Sequence, residues 1–442
     1  MSSLPVLIVG AGVSGLILAQ HLRANSVPFL VFERDSDLAT RGLGWGLTLH
    51  WSLPALRHLL PAHIYDRLPE AYVDREAVER GEASRFPFYD LSTGELRAAT
   101  PKAPEGQRVR VTRARLRKLV AEGIDIQWNK AFSSYTSTPS SVTVTFEDGS
   151  SYTGCLLVGC DGGTSRVRRA LFPAQYERHR VPVRTMGFRA DFSPQEIADI
   201  RAMDSFFLQA AASENDTFLY FSVLSGPQHA PNKKPTNKYT CQLVVSWPDR
   251  PGFFGEPSGI EYPETDQGRL ELLHRFASTW AEPFRSLVLG VELRGTGSHK
   301  TARSGGGVTS EIKTLDLFDW PPPKGLRGEG RVVLMGDSMH QMTMYRGEGA
   351  NHAIVDVQDF ADLVSPVLSR TSISPADGTP GPSGFEDLRS ALDAYEDAVV
   401  DRARPGVLAS RRACLDAHEW KRIDETSPLL SRRAMKLDFD EE

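Results

Sequence analysis

Cysteine is scarce in this chain of 442 residues, and its few copies form no pattern. The four are Cys155, Cys160, Cys241 and Cys414, and no two of them make a Cys-x-x-Cys pair. Scattered cysteines of this kind are typical of free thiols in a reducing compartment and give no support to a zinc site. We therefore expect a cytoplasmic protein without a metal centre.

Long apolar runs and an excess of positive charge are also missing. No stretch approaches the roughly 18 apolar residues that a membrane-spanning helix needs. The net charge of −5 gives no reason to expect a nucleic-acid partner. The first residues lack the basic segment of a signal peptide, so we expect none. The length and a 40% apolar content are typical of a globular protein with about two or three cores.

The first positive signal is a strand–turn–helix–strand pattern near the N-terminus. The apolar run Val6-Leu7-Ile8-Val9 leads into Gly10, Gly12 and Gly15, and a second apolar strand ends at Glu33. Glycines at this spacing permit a tight turn, let the backbone approach a pyrophosphate and let the helix pack on the strand. A carboxylate after the second strand can accept hydrogen bonds from an adenosine ribose, and it would repel a 2′-phosphate. The pattern favours FAD or NAD over NADP at this position.

Two further motifs each follow a buried apolar strand. The first is Asp161-Gly162, ahead of a basic helix; the second is Gly336-Asp337, followed by the turn Gly347-Glu348-Gly349-Ala350-Asn351. Asp337 can accept hydrogen bonds from ribityl hydroxyls. The glycine turn and the helix after it can approach a flat ring system and stabilise negative charge there. A second site this far along the chain narrows the cofactor to FAD, which is long enough to need both sites.

In this order and spacing, the three motifs resemble those of the FAD-dependent aromatic hydroxylases, the group A flavoprotein monooxygenases related to p-hydroxybenzoate hydroxylase. The resemblance covers roughly residues 5–365. It implies an α/β fold: a Rossmann-like FAD-binding domain of the glutathione-reductase and p-hydroxybenzoate-hydroxylase type, an inserted antiparallel β-sheet substrate domain and a C-terminal helical segment. The cofactor-binding residues that motifs and resemblance together predict are Gly10, Gly12, Gly15, Glu33, Arg34, Arg41, Gly46, Arg113, Asp161, Gly336, Asp337, Gly347, Gly349, Ala350 and Asn351.

The composition along the chain predicts where the domains divide. Residues 1–85, 105–180 and 300–365 are expected to form a discontinuous FAD-binding domain, and 86–104 with 181–299 the substrate-binding sheet. Residues 366–442 are expected to form a loop and a C-terminal helical region, with a surface loop at 371–386, where Ser, Pro and Gly are frequent.

The resemblance also implies a reaction. NADPH or NADH reduces FAD, O₂ adds to give the C4a-hydroperoxide, and one oxygen atom passes to an aromatic or polycyclic small molecule. Hydroxylation is expected, with epoxidation and Baeyer–Villiger insertion left open. Three residues are candidates for catalysis: His50, as a base beyond the glycine-rich loop, and Arg189 and Tyr220, on predicted strands of the inserted sheet.

Two other functions are compatible with parts of the pattern. One is an FAD-dependent reductase of a polyprenyl or polyketide substrate. The other is a carrier that binds a nucleotide without catalysis, against which the intact run Gly347–Asn351 argues, since a carrier has no use for a flavin-ring site.

One segment departs from the family pattern. Similar proteins have one or two prolines before the glycine turn, whereas this chain has Met342-Thr343-Met344. Because proline fixes φ, we expect the backbone beside the flavin to differ here, with consequences for the substrate side. His340, close after the ribityl Asp337, is expected to pack or to hydrogen-bond.

Overall fold

The fold is the α/β arrangement that the sequence predicts, with one parallel and one larger, mostly antiparallel sheet. The computed structural model describes residues 4–42, 44–227, 237–294, 307–371 and 383–441. Most of the predicted surface loop, residues 372–382, lies outside the described residues. The strands are β1 Val6–Val9, β2 Phe29–Phe32, β3 Gly46–Leu49, β4 Phe88–Asp90, β5 Leu96–Ala98, β6 Val109–Thr112, β7 Ile126–Gln127, β8 Phe132–Ser137, β9 Val142–Phe146, β10 Ser151–Gly154, β11 Leu156–Gly159, β12 His179–Phe192, β13 Phe207–Ala211, β14 Phe218–Ser225, β15 Tyr239–Pro248, β16 Glu292–Leu293, β17 Val308–Asp319 and β18 Val332–Leu334.

Helices cover the parallel sheet and one face of the second sheet. In the described part of the chain they are α1 Val13–Ala24, α2 Leu53–Leu59, α3 Ala62–Tyr65, α4 Arg75–Glu79, α5 Arg113–Val120, α6 Arg166–Leu171, α7 Ala198–Met203, α8 Asp266–Ala277, α9 Phe284–Leu289, α10 Asp337–His340, α11 Gly349–Leu363, α12 Ser365–Thr371 and α13 Ser383–Asp416, with 3₁₀ turns at Leu68–Ala71, Phe253–Gly255 and Trp420–Arg422. None of these described helices combines the length and the apolar character needed to cross a bilayer.

The parallel sheet carries the three cofactor motifs at one edge. Its strand order is β18-β11-β1-β2-β7, so β1 lies between the strands that lead to Glu33 and to Asp161. Strand β18, which leads to Asp337, pairs with β11 in parallel. The carboxyl ends of parallel strands meet at one edge of a sheet, where ligands bind in open α/β folds. The topology therefore brings together motifs that lie more than 300 residues apart in the sequence.

The second sheet has eight strands in the order β16-β17-β12-β15-β14-β13-β4-β5. One face packs with α8 and α9 into a continuous apolar core, and the other turns toward the parallel sheet. Strand β17 pairs with β12 along most of its length. The domain boundary predicted at residue 300 needs correction for this reason, because 308–319 extend the second sheet instead of beginning the return to the FAD-binding domain.

The long helix α13 connects the two parts of the molecule. It packs against α11 on the FAD-binding side and also touches β12 of the second sheet. The residues after it fold back as short turns, and Leu429 is buried in a small apolar cluster with Phe218 and Tyr345. The C-terminal region therefore packs behind Phe218 and Tyr345, two residues that line the space between the sheets.

Candidate active site

A cavity of about 540 Å³ lies between the two main sheets. The loop of Gly10 and Gly12 lines it on the side of the parallel sheet, and Phe207 and Tyr220 line it on the side of the second sheet. The cavity thus connects the predicted phosphate-binding loop with the predicted substrate sheet.

The first glycines are required by close approaches of the backbone. Gly10 has φ +111°, and a Cβ atom there would lie 2.3 Å from the carbonyl oxygen of Cys160. A Cβ on Gly15 would lie 2.1 Å from the carbonyl oxygen of Gly10, so Gly15 allows α1 to pack on β1. A Cβ on Gly12 would meet nothing closer than 4.0 Å. Gly12 therefore leaves its backbone open to the cavity, as a pyrophosphate site needs.

Glu33 is held at the edge of this loop. Its Oε2 accepts a hydrogen bond from the N–H of Ala11 at 2.9 Å and lies 3.4 Å from a guanidinium nitrogen of Arg117. Arg117 also donates to the carbonyl oxygen of Ala11 at 2.6 Å. The carboxylate is thereby fixed in place and charge-compensated, and it lines the cavity where an adenosine ribose would lie.

Asp161 also lines the cavity, but its carboxylate accepts hydrogen bonds from residues that follow it closely in the chain. It accepts hydrogen bonds from the hydroxyl of Ser165 at 2.5 Å and from the N–H groups of Arg166 at 2.7 Å and Val167 at 3.2 Å. Burial raises the pKa of Asp161, and these hydrogen bonds oppose that shift. Its side chain caps the start of α6 and shapes the loop beside the cofactor site.

Asp337 is presented to the cavity without a hydrogen-bond partner for its side chain among the described residues. The preceding Gly336 has φ +69°, and its N–H donates to Asp356 at 2.7 Å, which fixes the turn after β18. Asp337 is exposed to the cavity, but the protein groups packed around it displace bulk water and raise its pKa, and the charges of His340 and Arg113 oppose the shift. An accessible acceptor in this position suits the hydroxyls of a ribityl chain.

A buried polar network supports the turn of Gly336 from beneath. His340 lies 2.8 Å from Asp356, and Arg402 of α13 donates to the other oxygen of Asp356 at 2.6 Å and approaches His352 at 3.0 Å. Burial opposes ionisation of Asp356, yet His340 and Arg402 outweigh it and hold the pKa of Asp356 below its usual range. His340 therefore has the hydrogen-bonding role expected from the sequence.

The glycine turn and the start of α11 form the next part of the wall. Gly347 has φ +67°, and no atom lies within 4 Å of a Cβ placed there, so its backbone faces open space. Gly349 and Ala350 are the first residues of a 15-residue helix and line the cavity. The first N–H groups of a helix lack intrahelical acceptors and carry partial positive charge, so they are available to a ligand.

The segment that lacks the expected proline is held by side chains. The hydroxyl of Thr343 donates to the carbonyl oxygen of Ser410 at 2.7 Å, and the hydroxyl of Ser410 donates to the carbonyl oxygen of Thr343 at 2.8 Å. Met342, Thr343 and Met344 all line the cavity. In this chain, hydrogen bonds to α13 restrain the backbone of the segment that proline restrains in similar proteins.

Arg346, at the end of this segment, binds the C-terminal tail. It is fully buried, pairs with Glu348 at 2.7 Å and donates to the carbonyl oxygen of Pro428 and, at 2.9 Å, to the hydroxyl of Ser431. These contacts connect the last part of the chain to the glycine turn.

Most of the residues predicted from sequence meet in this one cavity. Those that line it are Gly10, Gly12, Glu33, Arg34, Arg41, Gly46, Arg113, Asp161, Tyr220, Asp337, Gly347, Gly349 and Ala350. Gly15 and Gly336 lie behind the lining, where they shape the turns described above. Arg41 forms a two-point ion pair with Asp35, at 2.6 and 3.0 Å.

Asn351 and His50 lie together outside the cavity lining. The side chain of Asn351 accepts from the N–H of His50 at 2.9 Å and from the hydroxyl of Ser52 at 2.8 Å, and it donates to the carbonyl oxygen of Thr48 at 2.9 Å. Burial lowers the pKa of His50 to about 3, and the positive charge of nearby Arg108 acts in the same direction. The pair connects α11 to the strand β3.

Arg189 and Tyr220 lie on the same face of the second sheet but differ in surroundings. Arg189 is exposed and lies beside Gly42, at a distance of 3.5 Å from a Cβ placed there. Tyr220 is part of the cavity wall. Of the three catalytic candidates, it is the one that reaches the cavity.

Sequence reasoning missed several lining residues, notably Arg110, Gln209, Gln242 and Tyr345. Gln209 donates to the carbonyl oxygen of Tyr345 at 3.0 Å, and Gln242 accepts from the N–H of Gly46 at 3.2 Å. One signal was available for Arg110: it is a charged residue between the apolar Val109 and Val111 in a short strand. A charge on a strand with buried neighbours predicts a polar site inside the molecule.

Comparisons with known proteins identify the family of this chain. The family described as "FAD binding domain" matches residues 3–248, more than half of the chain. A relative from Arthroderma benhamiae, named "Probable FAD-dependent monooxygenase", is 41% identical over 98% of this chain and 96% of its own. An FAD-dependent monooxygenase from Emericella nidulans is 38% identical over 90% of this chain and 93% of its own.

A solved structure shares the whole fold. The 2,6-dihydroxypyridine-3-hydroxylase from Arthrobacter nicotinovorans is 18% identical, covers 100% of this chain and 99% of its own, and has a TM-score of 0.70. At that identity the likeness concerns the fold alone.

The family match and the two relatives identify the chain as an FAD-dependent monooxygenase, an oxidoreductase. The chemistry of the lining is compatible with FAD. Glu33 and Gly12 suit the adenosine ribose and the pyrophosphate, and Asp337 suits the ribityl chain. The open backbone at Gly347 and the start of α11 suit the flavin ring. The chain belongs to the FAD-binding family of aromatic hydroxylases, as the three sequence motifs predict. FAD is its cofactor.

Proposed function

We propose that this monooxygenase takes electrons from NADPH or NADH and inserts one oxygen atom of O₂ into an aromatic or polycyclic small molecule, with hydroxylation as the outcome. The observation that carries the proposal is the continuity of the cavity. The residues suited to FAD and the aromatic and amide side chains of the second sheet line the same space. A substrate on the sheet would therefore lie against the flavin site.

FAD, when bound, accepts the reducing equivalents and activates O₂, and the protein supplies positions and charges for that chemistry. Glu33 would accept hydrogen bonds from the adenosine ribose, and Asp337 from the ribityl chain. The N–H groups of Gly349 and Ala350 would stabilise negative charge that develops on the ring next to them.

The second sheet would orient the substrate and limit access of water. The rings of Phe207 and Tyr220 and the amide of Gln242 line its side of the cavity. A mostly apolar pocket with a few fixed polar groups is the usual form of a small-molecule site. Excluding water matters because it protects a reactive oxygen species from side reactions.

Among the catalytic candidates, we assign contact with the substrate to Tyr220. His50 and Arg189 are proposed to act indirectly. His50 would hold α11 through Asn351, and Arg189 would support the loop of Gly42.

The test combines a spectrum, an oxidation assay and isotope incorporation. The purified protein should show a flavin spectrum, and aromatic substrates should stimulate oxidation of NADH or NADPH. With labelled O₂, one labelled oxygen atom should appear in the product. Stimulated oxidation without incorporation would favour a reductase instead, and a colourless protein that cannot be reconstituted with FAD would overturn the proposal and favour a carrier.

A further inference from the structure

Two charged residues flank the first glycine of the turn before α11, and they pair with each other. Arg346 and Glu348 lie on either side of Gly347, and their side chains form a fully buried ion pair at 2.7 Å. The N–H of Gly347 donates to the carbonyl oxygen of Met344 at 3.0 Å. The indole of Trp51 donates to the other carboxylate oxygen of Glu348 at 3.3 Å. Gly347 lines the cavity, and the side chains that fix the shape of the turn lie behind it.

Residues 427–433, near the end of the chain, form a strap behind this turn. Arg346 donates through its Nη1 to the carbonyl oxygen of Pro428 and, at 2.9 Å, to the hydroxyl of Ser431. The Nε of Arg433 donates to the carbonyl oxygen of Arg346 at 3.4 Å. The strap therefore bonds to both the side chain and the backbone of the residue just before the first glycine of the turn.

The strap also reaches the substrate side of the cavity. The guanidinium of Arg433 lies over the ring of Phe86, 4.7 Å from its centre, an attractive arrangement of a cation and an aromatic face. Phe86 lines the cavity and packs edge-on against Phe207 of the second sheet, with ring centres 4.6 Å apart. Its φ of +52° is strained for a phenylalanine, so contacts around the residue have to hold it. Through Arg433 the strap connects this wall to the glycine turn.

The strap and the turn depend on each other for their polar contacts. Without the strap, the Nη1 of Arg346 would lose both of these acceptors, and water would reach its pair with Glu348. A buried ion pair keeps its geometry only while its remaining hydrogen bonds are satisfied. The conformation of the turn is therefore coupled to the order of the strap.

We infer that the strap is a positioning element for the flavin ring, with Ser431 and Arg433 as its positioning residues. Both act through Arg346, and neither lines the cavity. They fix the glycine turn, and with it the first N–H groups of α11, relative to the wall that carries Phe86. The inference rests on the proposed function, in which those N–H groups stabilise negative charge on the ring. A turn that is already fixed need not be ordered when the ring binds, which favours affinity.

The test separates the flavin end of the cofactor from its adenosine end. FAD and ADP-ribose share the adenosine diphosphate that Gly12 and Glu33 are expected to bind, but only FAD has a ring to meet the turn. In the apoprotein, Ser431→Ala combined with Arg433→Met should raise the dissociation constant of FAD by about tenfold, the loss expected for one or two hydrogen bonds. The dissociation constant of ADP-ribose should not change. Quenching of flavin fluorescence measures the first, and calorimetry measures the second.

The reduction potential of bound FAD is the second measurement. If the turn is displaced, the negative charge of the reduced ring is less stabilised, so the potential should become more negative in the double variant. Arg432→Met is the matched control, because the side chain of Arg432 is exposed beside the same residues, and it should change neither the affinities nor the potential. Arg433→Lys, with Ser431 intact, keeps a cation near Phe86 and should retain part of the FAD affinity.

Three results would overturn the inference: an unchanged affinity for FAD in the double variant, an unchanged potential, or an equal loss of affinity for FAD and ADP-ribose. The last would mean that the strap supports the fold as a whole. If the double variant does not fold, Ser431→Ala alone repeats the test with a smaller expected loss of FAD affinity. Failure of the proposed function looks different, because both affinities are measured without NAD(P)H, O₂ or substrate. A wild type that binds FAD but oxidises no NAD(P)H would end the proposed function and leave these measurements valid.

Discussion

The two faces of the eight-stranded sheet are built from the same strands but have opposite chemistry. On β14 and β15, Phe221 and Trp247 point into the core beneath α8 and α9, whereas Tyr220 and Gln242 point into the cavity. Successive side chains of a strand alternate between faces. Each strand therefore contributes to the stability of the fold with one set of residues and to the site with the other, so substitutions on the two faces should have separable effects.

The largest effect is expected on the apolar face, for Trp247→Ala. The indole is fully buried, with its ring centre 5.2 Å from that of Phe276. Its Nε1 donates to the carbonyl oxygen of Ile260 at 3.2 Å. We expect the free energy of unfolding to fall by about 3–5 kcal/mol, as is usual when a large core aromatic is removed. Urea denaturation followed by circular dichroism measures it.

Gln242→Ala, on the opposite face of the same strand, is the matched control. It removes one hydrogen bond, to Gly46, so the free energy of unfolding should fall by only about 0.5–1.5 kcal/mol. Equal losses for the two variants would contradict the division of the sheet into a stabilising face and a functional face.

The second effect concerns a neutral histidine that supports the cavity face. His418 is buried, with its Nε2 2.9 Å from the hydroxyl of Ser246 and its Nδ1 2.6 Å from the carbonyl oxygen of Cys414. Burial lowers its pKa from 6.5 to about 4. The unfolded chain therefore binds a proton at a higher pH than the folded protein does. The stability that His418 contributes is complete above pH 6.5 and is lost as the pH falls toward 4.

The expected slope in this window is about 1.4 kcal/mol per pH unit, or about 3 kcal/mol in total. Measuring the free energy of unfolding across it for the wild type and for His418→Gln isolates the contribution of this residue from those of the carboxylates. The variant should show a shallower loss; parallel curves would mean that the pKa of His418 is the same in the folded and the unfolded protein, so that this residue contributes nothing to the slope.

The residues that could be predicted from sequence are those fixed by local backbone geometry. Gly10 and Glu33 follow from one βαβ unit, and Asp337 follows from a strand and a turn. Arg110 and Gln242 could not be predicted as neighbours of the site, because their position depends on strand register between segments far apart in the chain. Likewise the strand Val308–Asp319 joins the second sheet through a pairing with β12 that no local pattern encodes.

Asn351 illustrates a second limit. It follows Ala350 directly in the glycine-turn motif, yet a helix turns by about 100° per residue. Ala350 faces the cavity, while Asn351 points toward β3 and bonds to Thr48 and His50. The sequence motif predicts cofactor binding for both Ala350 and Asn351, but the helix places these neighbouring side chains on two different faces.

The third effect contrasts two carboxylates that line the same cavity from opposite walls. Asp337 faces the cavity without a side-chain partner among the described residues, whereas Asp316, on β17, lies 3.5 Å from Arg180. We expect Asp337→Ala to weaken FAD binding by about 1.5–3 kcal/mol, the range for hydrogen bonds to a charged group. That is a rise of about tenfold or more in the dissociation constant, measurable by quenching of flavin fluorescence.

Asp316→Ala should leave the affinity for FAD close to that of the wild type. If both substitutions weaken FAD binding equally, the flavin occupies a larger part of the cavity than proposed. Undiminished FAD affinity in Asp337→Ala would mean that the ribityl chain lies elsewhere.

The smallest effect is expected at Thr343, where the cavity-lining segment before the glycine turn is bonded to helix α13. Its hydroxyl and that of Ser410 donate to each other's carbonyl oxygens. Thr343→Val keeps the shape of the side chain and removes one donor, so it should cost about 0.5–1.5 kcal/mol of unfolding free energy, and Ser410→Ala should cost a similar amount. If the two hydroxyls restrain one backbone together, the double variant should lose less than the sum of the single losses. Additive losses would mean that each hydroxyl acts alone. The bonds to α13 would then not restrain the backbone of Met342-Thr343-Met344 in the way that the missing proline would.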